Sequence, residues 1–162
     1  MHFVTMGYKR DMILQLLFCA RHLYWIADSM KYNKFLVEQF YAEIWNKKNF
    51  SEIPNILNTN FIFRGSLGDE KKGHAGFKGY VESVHTSLGN YNCLIEDIVV
   101  DQQALFAKMV FSGLHQSKLL NYPATHKYVS WHGAALFKFS DMKISSLWVL
   151  GDLKNLEDQL SN

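Results

Sequence analysis

Three side chains in this sequence have the type and position to move protons or hold charge. Asp152 ends the set Ile144, Trp148, Leu150, Asp152, which period-two alternation assigns to one face of a strand. A carboxylate at the end of an apolar stripe is costly unless a partner pairs with it or a reaction uses it. It reads either as the N-cap of the helical segment Leu153 to Leu160 or as a pocket carboxylate, a general base or the orienter of one. His115 continues the face of Leu105, Ala107, Met109, Phe111 and Gly113. It is either a satisfied core or rim histidine or an acid/base group titrating near neutral pH. Arg64 ends a short strand, where it could steady a carboxylate or enolate oxygen or pair with Asp69 or Glu70 on the surface.

Aromatic residues surround these candidates. Tyr41, Trp45, Phe63, Phe111, Trp131 and Trp148 are candidate substrate-binding walls, with Phe137 beside them, although each could be plain core. His132 alternates to the opposite face from Trp131, toward the outside or an oligomer interface, and His74 and His85 read as surface residues. No nucleophile elbow, phosphate loop or dinucleotide fingerprint is present, and Gly65-Ser66-Leu67-Gly68 lacks the required pattern. No histidine pair has metal-ligand spacing, so no metal is expected.

The elements that must position these groups follow from periodicity. Apolar residues at helical spacing predict a helix over 31–48, and Ser51, Pro54 and Leu57 predict a short second helix with Ser51 as its cap. Phe61 to Arg64 reads as a strand, 65–73 as a polar glycine-rich loop, and 75–88 as a third helix closed by Gly89. Residues 91–100 and 104–115 alternate as two strands about a turn, and 116–126 form a loop. Residues 127–139 and 144–152 make two more strands before the terminal helix. In the first of these, Val129, Trp131, Gly133, Ala135, Phe137 and Phe139 share a face. Helices followed by an antiparallel meander form an α+β plan, and a sheet interrupted by Gly133 is expected to curl into a cone suited to a small molecule.

At 162 residues the chain is one domain with an extension: residues 1–29 precede a domain over 30–162. The apolar fraction of 48% and charged fraction of 20% are those of a soluble globular protein, whereas 15% aromatic residues is high. A net charge of +2 without a basic run argues against nucleic acid. Cys19 and Cys93 read as two reduced thiols in a cytoplasmic protein. Within 1–29, Asp11 is read as the cap of an amphipathic helix from Met12 to Ala27, docked or interfacial; a secretory leader and a working start at Met30 are the alternatives. Membrane contact is expected, if anywhere, only through residues 1–29.

From about Lys31 to Leu160 the chain resembles the SnoaL-like polyketide cyclase and ester cyclase group of the nuclear transport factor 2-like superfamily. The stretches that carry the resemblance are FLVEQFYAEIWNKKNFSEI, FIFRG, GHAGFKGY, FSGLH, YPAT, FKFSDMKI, WVLGD and DQL, in that order. The resemblance implies a cone in which a curved antiparallel sheet packs against three helices and encloses a pocket. It also implies no cofactor, a small hydrophobic oxygenated substrate, acid/base chemistry of the cyclase, lyase, isomerase or hydrolase kind, and a homo-oligomer, most simply a dimer packed sheet to sheet. Gly113, His115, Thr125, Trp148 and Asp152 match the broader ester-cyclase pattern G-x-H, P-x-T and W-x-x-x-D. The aldol cyclases of the group place their catalytic aspartate where this chain has Val149 and their pocket histidine where it has Ala135. A non-catalytic ligand-binding or dimerisation module on the same fold is the alternative.

Overall fold

The computed structural model describes the backbone of residues 4–66 and 68–161, and the side chains of Gln15, Arg21 and those from Leu23 to Ser161, Leu67 excepted. The elements run α1 (Val4–Gln39), α2 (Ile53–Ile56), β1 (Leu57–Arg64), β2 (Glu70–Lys72), α3 (Gly73–Ser87), β3 (Leu88–Val100), β4 (Ala104–His115), β5 (Tyr128–Ser140), β6 (Lys143–Gly151) and α4 (Leu153–Ser161). The α+β plan is therefore present, with longer first and third strands than periodicity indicated.

The first helix differs from expectation at both ends. It is continuous from Val4, so Asp11 lies inside it, and no break marks residue 29 or 30. Its continuation, Phe40–Asn46, winds as a π-helix rather than an α-helix. Phe40, Tyr41, Ile44 and Trp45 are all buried on it, because the wider turn brings a broader aromatic face to the sheet. Side chains close the loose end. The His85 Nε2–H donates to the Trp45 carbonyl at 2.8 Å. The Asn46 amide donates to the Cys93 carbonyl at 3.0 Å and accepts from its N–H at 2.8 Å, pairing backbone on β3 that no strand covers. His85 and His74 are thus half-buried ties rather than surface residues; His74 Nε2 lies 3.1 and 3.0 Å from the carbonyls of Leu57 and Asn58. Ser51 caps no helix: it lies within a 3-10 turn and its hydroxyl donates to Asn49.

The six-stranded sheet has the order β2-β1-β6-β5-β4-β3. β3 to β6 form the antiparallel meander, and β1 joins β6 in parallel. One helical residue, Phe77 on α3, ties the core together by ring contacts with Phe40, Phe61, Phe63 and Trp45 at 5.2–5.9 Å. The β5–β6 ladder slips by one residue between Lys138↔Ser146 and Phe139↔Ile144, leaving Ser145 as a bulge. Beyond it, Leu147 and Val149 face inward and Trp148 and Leu150 outward, at 43% and 51% exposure. This reverses the expected face of Trp148, Leu150 and Asp152, since one inserted residue exchanges the two sides of a strand.

Gly133 permits the curl. A Cβ there would lie 2.5 Å from the Phe111 ring and 2.7 Å from the Leu150 carbonyl oxygen. The close approach requires glycine. Gly133→Ala is expected to destabilise the fold by about 1–3 kcal/mol through overpacking, read by urea unfolding; wild-type stability in that variant would remove this role from Gly133.

Candidate functional site

The cone encloses a cavity of about 40 Å³, room for on the order of three waters. The π-helix supplies Tyr41 and Trp45; the sheet supplies Phe63, Tyr91, Cys93, Phe111, Trp131, Leu147 and Val149. α3 adds Tyr80, and Gly65, Ser66, Leu119 and Leu156 border the cavity from the loops and α4. Gly151 lets two of these groups close in: a Cβ there would be 3.1 Å from the Trp131 Nε1 and 3.1 Å from the Ser66 Cβ.

The polar atoms of this lining are nearly all donors. The Tyr41 hydroxyl, Trp45 Nε1–H and Trp131 Nε1–H are buried with no hydrogen-bond partner. Burial pushes the Tyr41 and Tyr91 hydroxyls far above their usual range and the Cys93 thiol up with them, while Tyr80 is pushed up to about 12. These groups stay protonated at neutral pH. Among the described residues the cavity is lined by no carboxylate, imidazole, ammonium or guanidinium. Such a site can hold an acceptor oxygen or a developing oxyanion; it has no resident base.

The sequence candidates separate accordingly. Tyr41, Trp45, Phe63, Phe111 and Trp131 border the cavity, while Phe137 is buried outside its wall. Trp148 does not border it, because the Ser145 bulge turns it outward. Arg64 lies on that outer side too: its guanidinium sits 5.5 Å from the centre of the Trp148 ring and Nη1 donates to the Val149 carbonyl at 3.1 Å. It pairs with neither Asp69 nor Glu70, which lie beside Lys71 and Lys72.

Asp152 is exposed, and its Oδ1 accepts the Asn155 N–H at 3.1 Å as the cap of α4. His115 is fully buried, with Nδ1 accepting the Thr125 N–H at 3.2 Å and the Thr125 hydroxyl oxygen 3.0 Å away. That bond assigns the ring proton to Nε2, which is buried with no partner of hydrogen-bond geometry. Neither His115 nor Asp152 borders the cavity, and the two share no site: the side-chain face that carries His115 is internal, whereas the bulge sends Asp152 out. His132 is on the outer face, as alternation indicated, 3.8 Å from Glu96.

Tyr80, Tyr91 and Leu147 are not among the candidates read from the sequence, and Cys93 and Val149, noted there for other reasons, are not expected in the cavity wall. For Tyr91 and Cys93 the signal was present as i,i+2 spacing on a strand; for Leu147 and Val149 the bulge concealed it. Val149 lines the cavity, and its cross-strand partner is the fully buried Ala135. The two positions that the resemblance associates with a catalytic aspartate and histidine are thus neighbours on the inner face, and here both are apolar. No group of three or more potential metal ligands occurs among the described residues, and none of their helices is long and apolar enough to cross a membrane.

Burial holds the His115 imidazole below its usual pKa, with a nearby His126 acting the same way and a Ser117 backbone contact opposing. The native state therefore binds fewer protons than the unfolded chain once pH falls below about 6.5, so stability declines as pH drops through that value. His85 contributes in the same direction, chiefly through burial. Unfolding titrations between pH 8 and 5 are expected to show this slope and His115→Gln to flatten it; an unchanged slope would remove His115 as its source.

Comparison with known proteins places this geometry in a family. The sequence profile of the SnoaL-like polyketide cyclases matches residues 35–160. Among solved structures, TsrD from Streptomyces laurentii superposes with a TM-score of 0.71 at 22% identity, over 80% of this chain and 95% of that one. A Jannaschia protein named as a SnoaL-like polyketide cyclase gives 0.75 at 13% identity, covering 82% and 93%. A SnoaL-like polyketide cyclase from Agrobacterium tumefaciens gives 0.66 at 20%, covering 76% and 94%. No curated protein sequence matches significantly. The agreement of fold and profile has one conclusion: the chain belongs to the SnoaL-like polyketide cyclase family.

Proposed function

We propose that this protein binds a small, apolar, oxygen-bearing molecule in its cone without a cofactor, and that it does so by donating hydrogen bonds to an acceptor oxygen of that molecule. One observation carries the reading: three buried donors have no partner, and the residues that bear them, Tyr41, Trp45 and Trp131, all line a single apolar cavity. Leaving such donors unpaired costs about 1–3 kcal/mol each, and a bound carbonyl oxygen relieves that cost. With Val149 and Ala135 where the aldol cyclases carry acid/base groups, this chain does not use their dyad. A reduced, buried Cys93 fits a cytoplasmic setting.

A second reading, cofactor-independent acid/base catalysis of the lyase, isomerase or hydrolase kind, rests on His115. Its ring has Nδ1 occupied by Thr125 and an Nε2–H without a partner of hydrogen-bond geometry, so it could shuttle a proton if a ligand reached it. Asp152 serves this reading only as the cap that starts α4, whose Leu156 borders the cavity.

The outer sheet face supports a homo-oligomer. Phe106, Leu136 and Trp148 lie side by side across β4, β5 and β6, with Ile62 and Leu150 near them, all exposed. Glu96, Lys108 and His132 add both signs of charge to the same face. We assign this face to a second copy, since a contiguous apolar row bearing both charges is self-complementary.

Tryptophan fluorescence can follow binding of small cyclic ketones against hydrocarbons of equal size. Trp45→Phe and Trp131→Phe are expected to weaken ketone binding about 2–10-fold each. Hydrocarbons binding as tightly as ketones would overturn the donor reading. Retained turnover of any identified substrate in His115→Gln would overturn the catalytic one. For the interface, sedimentation is expected to show a dimer that Leu136→Glu converts to a monomer; a monomeric wild type would refute it.

A further inference from the structure

A second space lies directly behind the cavity. It is an open groove of about 480 Å³ between the end of α1, the π-helix and the edge strand β3, bordered by Lys34, Glu38, Glu96 and Asp97. Tyr41 and Cys93 border both the groove and the cavity. These two residues are therefore shared by the two spaces.

The two shared residues differ in how firmly they are held. The Cys93 backbone is clamped on both sides of its peptide by the Asn46 amide. Tyr41 is only 3% exposed and packs edge-on to Phe40 and Phe137, but its hydroxyl has no partner. A buried hydroxyl left unpaired is a standing penalty on the closed position. Rotation toward the groove would bring that hydroxyl to water and to the polar groups there, and would join the cavity to a space more than ten times larger.

We propose that the groove is the outer half of the ligand site and that Tyr41 is the gate between the halves. The ligand is then an amphiphile: an apolar, carbonyl-bearing end fills the cone, and a polar end of neutral or positive charge lies in the groove. The sign follows from the acid that stays without an ion pair: of the three acidic residues on the lining, Glu38 lies beside Lys34 and Glu96 meets Lys108 and His132 on the outer sheet face, which leaves Asp97. Lys34 is 3.8 Å from Glu38, and Glu96 is 3.0 Å from Lys108 on the sheet, while the carboxylate of Asp97 meets the Ile98 N–H and has no ion pair among the described residues. An anionic end group would meet net repulsion there. This extends the binding reading above.

Cys93 makes the gate measurable without knowing the ligand, because this buried free cysteine borders both spaces. In a Cys19→Ser background, labelling of Cys93 is followed by mass spectrometry with a cationic (aminoethyl) and an anionic (sulfonatoethyl) methanethiosulfonate, each rate divided by that of free cysteine. Wild type should label slowly and Tyr41→Ala at least 10-fold faster. The cationic reagent should gain severalfold over the anionic one, an advantage that Glu38→Gln combined with Asp97→Asn abolishes. Tyr41→Phe keeps the ring and loses the unpaired hydroxyl, so it should raise the midpoint of thermal unfolding and slow labelling below wild type. Equal rates in wild type and Tyr41→Ala, no charge preference, or a lower unfolding midpoint in Tyr41→Phe would each overturn the gate. Ketone binding that survives any of these failures leaves the cavity reading standing by itself.

Discussion

The site depends on a constraint of count. Along a strand successive side chains face opposite ways, so the set that meets the cavity is decided by parity. On β6 that parity changes once, at Ser145, where the ladder with β5 slips by a residue. The consequences reach across the molecule. Leu147 and Val149 become cavity wall, Trp148 turns out to meet Arg64, and Asp152 leaves the sheet exposed and free to cap α4. Without the bulge the same strand would aim Trp148 and Leu150 into a cone already filled by Trp131 and Phe111.

A second tension concerns polarity. Large aromatics fill the cone because each buries extensive apolar area, yet tyrosine and tryptophan each bring a donor with them. In an ordinary core those donors find acceptors, as the His85 ring does at the Trp45 carbonyl. Around this cavity three do not. The π-helix is implicated directly, since it carries two of the three and its wider turn sets both rings against the sheet. The stability forgone there is the kind that binding sites retain, because a preorganised donor needs no rearrangement when an acceptor arrives.

The degree to which the site could be read from sequence follows from which interactions are local. The β4 face ending at His115 and the β5 face through Trp131 are regular alternations, and both were legible residue by residue. The pairing of G-x-H with P-x-T was visible as a pattern, but its meaning, Thr125 holding the His115 ring across a loop, depends on where that loop closes. Cavity residues on β6 were misassigned because a bulge has no sequence signature as strong as the apolar period it interrupts. The contact of Arg64 depends on the same bulge, since its guanidinium meets the Trp148 ring only where that ring faces outward.

Sequence alone determined the α+β plan, the order of nearly every element and the aromatic character of the interior, because these rest on periodicity and composition that each segment carries by itself; the family was legible through the resemblance of its motif stretches, taken in order. It also held Val149 and Ala135 at the two positions that the resemblance associates with acid/base groups. Only the tertiary structure decided that these two are cross-strand neighbours, that Asp152 is exposed while His115 is buried, and that Tyr41 and Cys93 border two spaces. The physical reason is register: which residues meet across a sheet is decided by strand pairing over long separations, and one unpaired residue is enough to change it.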